Sequence, residues 1–136
     1  MSEVVPPLES FHNGFFYFMS ALEILAKDAE AQCREMGNFN VAWELQHDVS
    51  AGEYLAKQSY GQLTPEQSEA ILVLVHALQS VPTSELPAGS SLEQNMVAMQ
   101  HPSWTPLRTQ AASLVSLLQP ATHRSQAFLS APKSAR

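Results

Sequence analysis

The stretch Thr64–Val81, TPEQSEAILVLVHALQSV, carries the strongest secondary-structure signal in this sequence. The Thr64 hydroxyl can cap a helix, Pro65 suits the first helical position, and Gln67 completes a capping box with Thr64. Six consecutive apolar residues follow and cover every side of a helix. The cap and the length of the pattern favour a helix over a buried strand. We therefore predict a central, buried helix over 65–81.

A first long helix is predicted upstream, from Ser10 or Asn13 to Met36. Its apolar residues are spaced alternately by three and four, so they lie on one stripe, as in a helix that packs against its neighbours. Three further apolar side chains fall off this stripe, namely Phe16, Tyr17 and Ile24. Either a second neighbouring helix covers these three, or they face a partner.

A second helix is predicted over 41–59, capped by Asn38 or Asn40. The stripe expected to face the core consists of Val41, Leu45, Val49, Gly52, Leu55 and Ala56. On the opposite side, Trp43, His47 and Tyr54 recur at near-helical spacing. Two such stripes on one helix indicate either a buried helix or a helix with an interface.

The chain after the central helix is more broken, because six prolines fall between residues 82 and 132. A linker is expected over 82–90. It is followed by a short helix, capped by Ser90 or Ser91, with Leu92, Met96 and Met99 on one face. Thr105 and Pro106 repeat the helix-start signature of the central helix, and they open a last helix that Pro120 stops.

The expected organisation is one all-α domain over 10–120, a small helical bundle of about four to five helices. A chain of 136 residues is the length of one domain. Residues 1–9 are expected to be a loose lead-in. Residues 121–136 are rich in Ser and Ala, and we expect them to form a weakly basic, poorly ordered tail.

Cysteine content and the N-terminal sequence argue against several classes of protein. A single cysteine, Cys33, excludes an intrachain disulfide framework and a four-cysteine zinc site. No Lys or Arg precedes the first apolar stretch, which argues against a secretory signal. The apolar run at 15–26 is too short to span a bilayer and contains Glu23. We expect a cytoplasmic protein with no membrane partner.

The net charge of −6 conceals two parts of opposite sign. All 13 acidic residues lie at or before Glu93, where there are 3 basic residues, so this part carries 3 − 13 = −10. The remainder has 4 basic residues and no acidic one, which gives +4. An acidic body disfavours nucleic acid, whose phosphates require clustered Lys and Arg. It favours attraction of a basic protein partner.

Three residue combinations have spacings or residue types that could support chemistry. Glu44-x-x-His47 has the helical spacing of one half of a di-iron motif, but no second copy exists in the sequence. Glu44 and Asp48 form a carboxylate pair without an evident substrate loop. Cys33 and His76 lack the features that activate a thiol. We therefore predict no catalytic residue, no metal site and no cofactor, with a small metal protein using Glu44 and His47 as a lesser alternative.

The aromatic stripe of the second helix is the most informative functional feature. Trp43, His47 and Tyr54 lie among the acidic residues Glu44 and Asp48, and aromatic residues are enriched at the energetic centres of interfaces. These five residues are the predicted partner-binding site. The competing interpretation is that Trp43 and Tyr54 pack under the C-terminal segment and complete the core.

The sequence favours a non-enzymatic protein-binding module that recognises a basic partner by occlusion, in a toxin-neutralising, immunity-like or adaptor role. The alternative is a self-associating helical scaffold, in which Phe16, Tyr17 and Ile24, or the aromatic stripe of the second helix, form a two-fold interface.

Overall fold

The computed structural model describes residues 6–37, 39–87 and 89–136. The regular structure of these residues is entirely helical, which confirms the all-α prediction, but eight α-helices replace the four to five expected. The α-helices are α1 (Pro7–Leu25), α2 (Ala29–Met36), α3 (Val41–Ser50), α4 (Gly52–Lys57), α5 (Pro65–Leu78), α6 (Leu92–Met99), α7 (Trp104–Leu117) and α8 (Gln119–Ser130). Two short 3₁₀ helices cover Thr83–Glu85 and Lys133–Ala135.

The first predicted helix is two helices in the structure. Helix α1 begins at Pro7, so residues 7–9 of the predicted loose lead-in are helical, while residues 1–5 lie outside the described part of the chain. The chain leaves the helix after Leu25, and the Asp28 carboxylate caps α2 by accepting a hydrogen bond from the Ala31 N–H at 2.8 Å. An Asp side chain offers the backbone this alternative to a continuous helix, which explains the break.

The second predicted helix is likewise divided, at Ala51. The cap of α3 is Asn40, whose side chain accepts from the Trp43 N–H at 3.1 Å; the other predicted cap, Asn38, lies outside the described residues. Helix α4 starts at Gly52, where an added Cβ would lie 2.9 Å from Phe18 Cδ1. The absence of a side chain therefore lets this turn approach α1 closely.

The capping box of α5 is present as predicted. The Thr64 hydroxyl accepts from the Gln67 N–H at 3.1 Å, and the Gln67 side chain accepts from the Thr64 N–H at 2.9 Å. The helix ends at Leu78, three residues earlier than predicted, although Val81 is still buried. One side of α5 faces solvent, where Val73 is 49% exposed.

The centre of the molecule is α1 rather than the predicted α5. Helix α1 packs against α2, α3, α4, α7 and α8, whereas α5 packs against α3, α4 and α7. The reason is the aromatic stripe of α1, since each buried Phe removes a large apolar area from water. The buried residues of α1 are Phe11, His12, Phe15, Phe18, Met19, Ala21, Leu22 and Leu25.

The short helix α6 begins after its predicted cap, Ser91, and two of the three residues of its predicted face, Met96 and Met99, pack on the core. Leu92 is exposed, whereas Asn95 is buried and its side chain bonds the Val41 N–H and the Phe39 carbonyl. These two hydrogen bonds satisfy a buried amide and join α6 to the start of α3. Met99 is buried, as expected from its place on the predicted face.

Helix α7 begins at Trp104, before the predicted Thr105 cap, and no side chain caps it. The Trp104 ring is buried, and its indole N–H donates to the Ala98 carbonyl at 3.2 Å. Arg108, one turn later, donates to the Met99 carbonyl and to the Gln32 side chain. The start of α7 is therefore fixed by burial of the Trp104 indole and by hydrogen bonds to the end of α6. The Thr105-Pro106 signature does not determine it.

The prediction of a poorly ordered tail over 121–136 is corrected by α8, which covers 119–130. Pro120 lies in the first turn of this helix, a position that tolerates the missing N–H, and does not end the helical region. Helix α8 packs along α1 and buries the small side chains of Ala121 and Ser125. Small residues allow this close approach, which composition alone does not reveal.

Candidate partner-binding surface

The aromatic residues of α3 face outward. Trp43 is 52% exposed, and its ring stacks on His47 with the ring centroids 4.9 Å apart and the planes 7° from parallel. Residues four apart lie one above the other on a helix, so the two rings meet without help from another element. The opposite face of α3 buries Val41, Leu45 and Val49. The interpretation in which Trp43 completes the core is therefore wrong.

Two carboxylates accompany this stack on α3. Partial burial and the neighbouring Asp48 raise the pKa of Glu44 above its usual value. Neither Glu44 nor Asp48 has an ion-pair partner among the residues that the structure describes. Their negative charge is therefore directed to solvent or to a partner.

The fifth predicted site residue, Tyr54, lies on α4 and is 61% exposed. It is thus also outside the core. It does not stack on Trp43, because the two residues are eleven positions apart, which is about 16 Å along a helix. Glu53 beside it is paired with Lys57 at 2.8 Å. The structure therefore brings together Trp43, Glu44, His47 and Asp48, but not Tyr54.

A groove of about 540 Å³ runs between α1 and α3, and we call it the α1/α3 groove. Helix α1 contributes Tyr17, Ser20 and Ile24 to one wall. His47 and Asp48 contribute to the other. The groove joins two features that were separate in the sequence, the off-stripe side chains of α1 and the outward face of α3. Met36 of α2 and Ala51 also contribute to its lining.

Tyr17 extends this surface beyond the groove. It is 72% exposed and packs edge to face against Phe16, with centroids 5.5 Å apart and planes at 83°. Phe16 is itself half exposed. Large apolar groups that share one exposed area are characteristic of interaction sites. Of the three residues that fall off the predicted stripe, Phe16 and Tyr17 are thus exposed, whereas Ile24 is partly buried against the core. That the exposed pair faces a partner stays a prediction.

A buried pair on the other side of α1 was missed at the sequence level. The His12 ring and the Ser125 hydroxyl are 2.6 Å apart, and Phe128 stacks on the imidazole at 4.2 Å. Burial lowers the pKa of His12, and the positive charge of Arg124 adds to the effect. A serine beside an imidazole resembles a nucleophile and its base. Ser125, however, is buried within a helix that packs on α1, so the pair connects two helices.

Glu44, His47 and Cys33 are the candidate residues for metal or thiol chemistry. In the part of the chain that the structure describes, no three His, Cys, Asp or Glu side chains gather closely enough to hold a metal ion. Cys33 is buried, which raises the pKa of its thiol and disfavours the reactive thiolate. No helix in the described residues is long and apolar enough to cross a membrane.

Comparisons with known proteins identify no relative of this chain. No family model, no curated protein and no solved structure matches this chain.

Proposed function

We propose that this chain is a non-enzymatic protein-binding module that recognises a basic protein partner and acts by occlusion. A toxin-neutralising, immunity-like or adaptor role has this character. The observation that carries the proposal is the exposed stack of Trp43 on His47, beside Glu44 and Asp48. A rigid, half-exposed Trp supplies a large contact area at little entropic cost, which is why Trp is enriched at interface hot spots.

Charge supports a basic partner in particular. Glu44 and Asp48 have no ion-pair partner among the described residues, so binding need not first break a pair within the protein. The acidic excess of the first 93 residues would attract a positively charged protein at long range. Such attraction is screened by salt, which gives the proposal a measurable signature.

The test is capture of the partner by tagged protein from its own cells, washed in parallel at low and high salt. We expect a basic protein in stoichiometric amount, with less retained at high salt. Trp43→Ala should weaken its binding at least about tenfold, because truncating a hot-spot residue costs more than about 1.4 kcal/mol.

The matched control is Val73→Ala, which truncates a similarly exposed apolar side chain on α5, away from this surface. It should leave capture unchanged. Binding that is insensitive to salt would contradict the electrostatic part of the proposal. Equal capture by the wild type and Trp43→Ala would remove Trp43 from the interface.

Self-association is the second candidate function, and the exposed Phe16–Tyr17 pair favours it. A two-fold interface would bring these rings of two copies together. Sedimentation of the purified protein over a range of concentrations should then show a dimer that Tyr17→Ala disrupts. A monomer at every concentration would eliminate this candidate.

A further inference from the structure

The α1/α3 groove is about as long as a helix of three turns. On α1 it extends from Gly14 to Ile24, and ten residues of helix at 1.5 Å per residue span about 15 Å. Tyr17 and Ile24, seven residues apart, project from the same face of α1 and contribute apolar side chains two turns apart to this wall. Side chains at i, i+4 and i+7 of a second helix cover a similar length.

The backbone around the groove indicates which conformation the occupant adopts. Its walls are the helices α1 and α3, whose interior N–H and C=O groups are bonded within each helix. An extended peptide would find no free strand edge to pair with, and its own polar backbone groups would lie unpaired over an apolar floor. A helix satisfies its backbone internally and can present only side chains to such a groove.

The charges beside the groove are on one side. Asp48 lies in the wall formed by α3, and Glu44 lies one turn before it. The facing wall offers Tyr17 and Ser20, which are uncharged. A helix in this groove would therefore need positive side chains along the flank that faces α3, and no charge along the flank that faces α1.

We infer that the α1/α3 groove takes one amphipathic helix of a basic protein, about three turns long. Its apolar side chains pack between Tyr17 and Ile24, and its Lys or Arg residues lie along Asp48 and Glu44. This inference rests on the proposed function, since it names the segment of the partner that the binding surface recognises.

The test uses two synthetic peptides of about 16 residues, a length at which Ala-rich helices begin to form. Both contain the same number of Leu, Lys and Ala. In the first, Leu recurs at i, i+4, i+7 and i+11 with Lys along one flank; in the second, the order is scrambled. We expect calorimetric titration to give at least tenfold tighter binding for the first peptide, and weaker binding as salt is added.

The variant that tests the location is Ala51→Arg, which places a long cationic side chain at an exposed position in the groove lining. It should weaken binding of the first peptide at least tenfold. Ala112→Arg makes the same change at an exposed position of α7 outside the groove and should have no effect. Circular dichroism of both variants establishes that they fold equally.

Equal affinity for the two peptides, no binding at about 1 mM, or an Ala51→Arg variant that binds as the wild type does would each overturn the inference. Failure of the inference and failure of the proposed function are separable by partner capture. If Trp43→Ala abolishes capture and Ala51→Arg does not, the binding module stands and the helix in the groove is excluded. If neither variant affects capture, both proposals fail.

Discussion

The buried imidazole of His12 makes the stability of this protein depend on pH near neutrality. Burial, and secondarily Arg124, lower the pKa of His12 from its ordinary value of 6.5. The unfolded chain therefore takes up this proton at a higher pH than the folded chain does. The stabilising contribution is fully present above pH 6.5 and is lost as the pH falls from 6.5 toward the folded pKa. Urea unfolding between about pH 7.5 and 5.5 measures this loss.

The double variant His12→Phe with Ser125→Ala isolates the contribution of this pair. Replacing both partners leaves no buried hydroxyl without its hydrogen bond, and a Phe ring can keep the stack on Phe128. Relative to the wild type, its unfolding free energy should fall less steeply on acidification, by at most about 1.4 kcal/mol per pH unit. Identical slopes for the two proteins would exclude His12 as the titrating group.

At the level of single residues, the sequence indicated the outer stripe of α3 but not the buried pair on α1 and α8. Whether the outer stripe is exposed was left open by the sequence. Trp43 and His47 are four residues apart on one helix, so the periodicity alone placed them together and opposite the core stripe. His12 and Ser125 are 113 residues apart, and only the packing of α8 on α1 brings them together. No local pattern contains that information.

The first residues of α5 and α7 show when a Thr-Pro signature determines where a helix begins. Thr64 caps α5, whereas the same Thr-Pro signature at Thr105 lies inside α7, after the buried Trp104 has begun the helix. We expect Thr64→Ala to lower the unfolding free energy by about 1 kcal/mol. Thr105→Ala removes no cap, and it should change this free energy by less than about 0.5 kcal/mol.

Chemical unfolding of the two variants provides the comparison. Thr64→Ser, which keeps the capping oxygen, serves as a further control and should stay close to the wild type. Equal losses for Thr64→Ala and Thr105→Ala would show that the hydroxyl at Thr64 contributes nothing as a cap.

The boundaries of a helix were predictable where a capping side chain nearby in the sequence sets them. They were not predictable where they depend on packing between helices. The starts of α3, α5 and α6 follow Asn40, Thr64 and Ser91, each a side-chain cap within three residues of its donor. The breaks at Asp28 and Ala51 interrupt stripes whose apolar spacing continues across them. Periodicity describes which face is buried, so it does not reveal where a helix is interrupted.

At the scale of the whole molecule, the helix with the most neighbouring helices is α1 and not α5. The run of six apolar residues in α5 suggested a helix covered on all sides, yet Val73 of that run is half exposed. The Phe stripe of α1 is covered instead, by segments from both halves of the chain, including α8. The sequence assigned the all-α class correctly, but the central helix is set by contacts between distant segments.

The role of α8 gives a test at this scale. A chain that ends after Leu118 loses the helix that covers α1, together with the partners Ser125 and Phe128 of His12. Exposing this aromatic side of α1 should cost more than about 3 kcal/mol, comparable to truncating one large core side chain. An ordinary domain is stable by about 5–15 kcal/mol, so this loss is a large part of the total. We therefore expect a shallow thermal transition at a lower temperature than that of the full chain.

A chain that ends after Ser130 is the matched control. It keeps α8 and loses mainly Arg136, whose guanidinium pairs with Glu9 at 2.6 Å and lies over the Phe128 ring. One charge-assisted pair contributes about 1.5–3 kcal/mol at most, so this chain should still unfold cooperatively. If the chain ending after Leu118 unfolds at the temperature of the full chain, residues 119–136 are a dispensable tail and α8 does not hold α1 in the core.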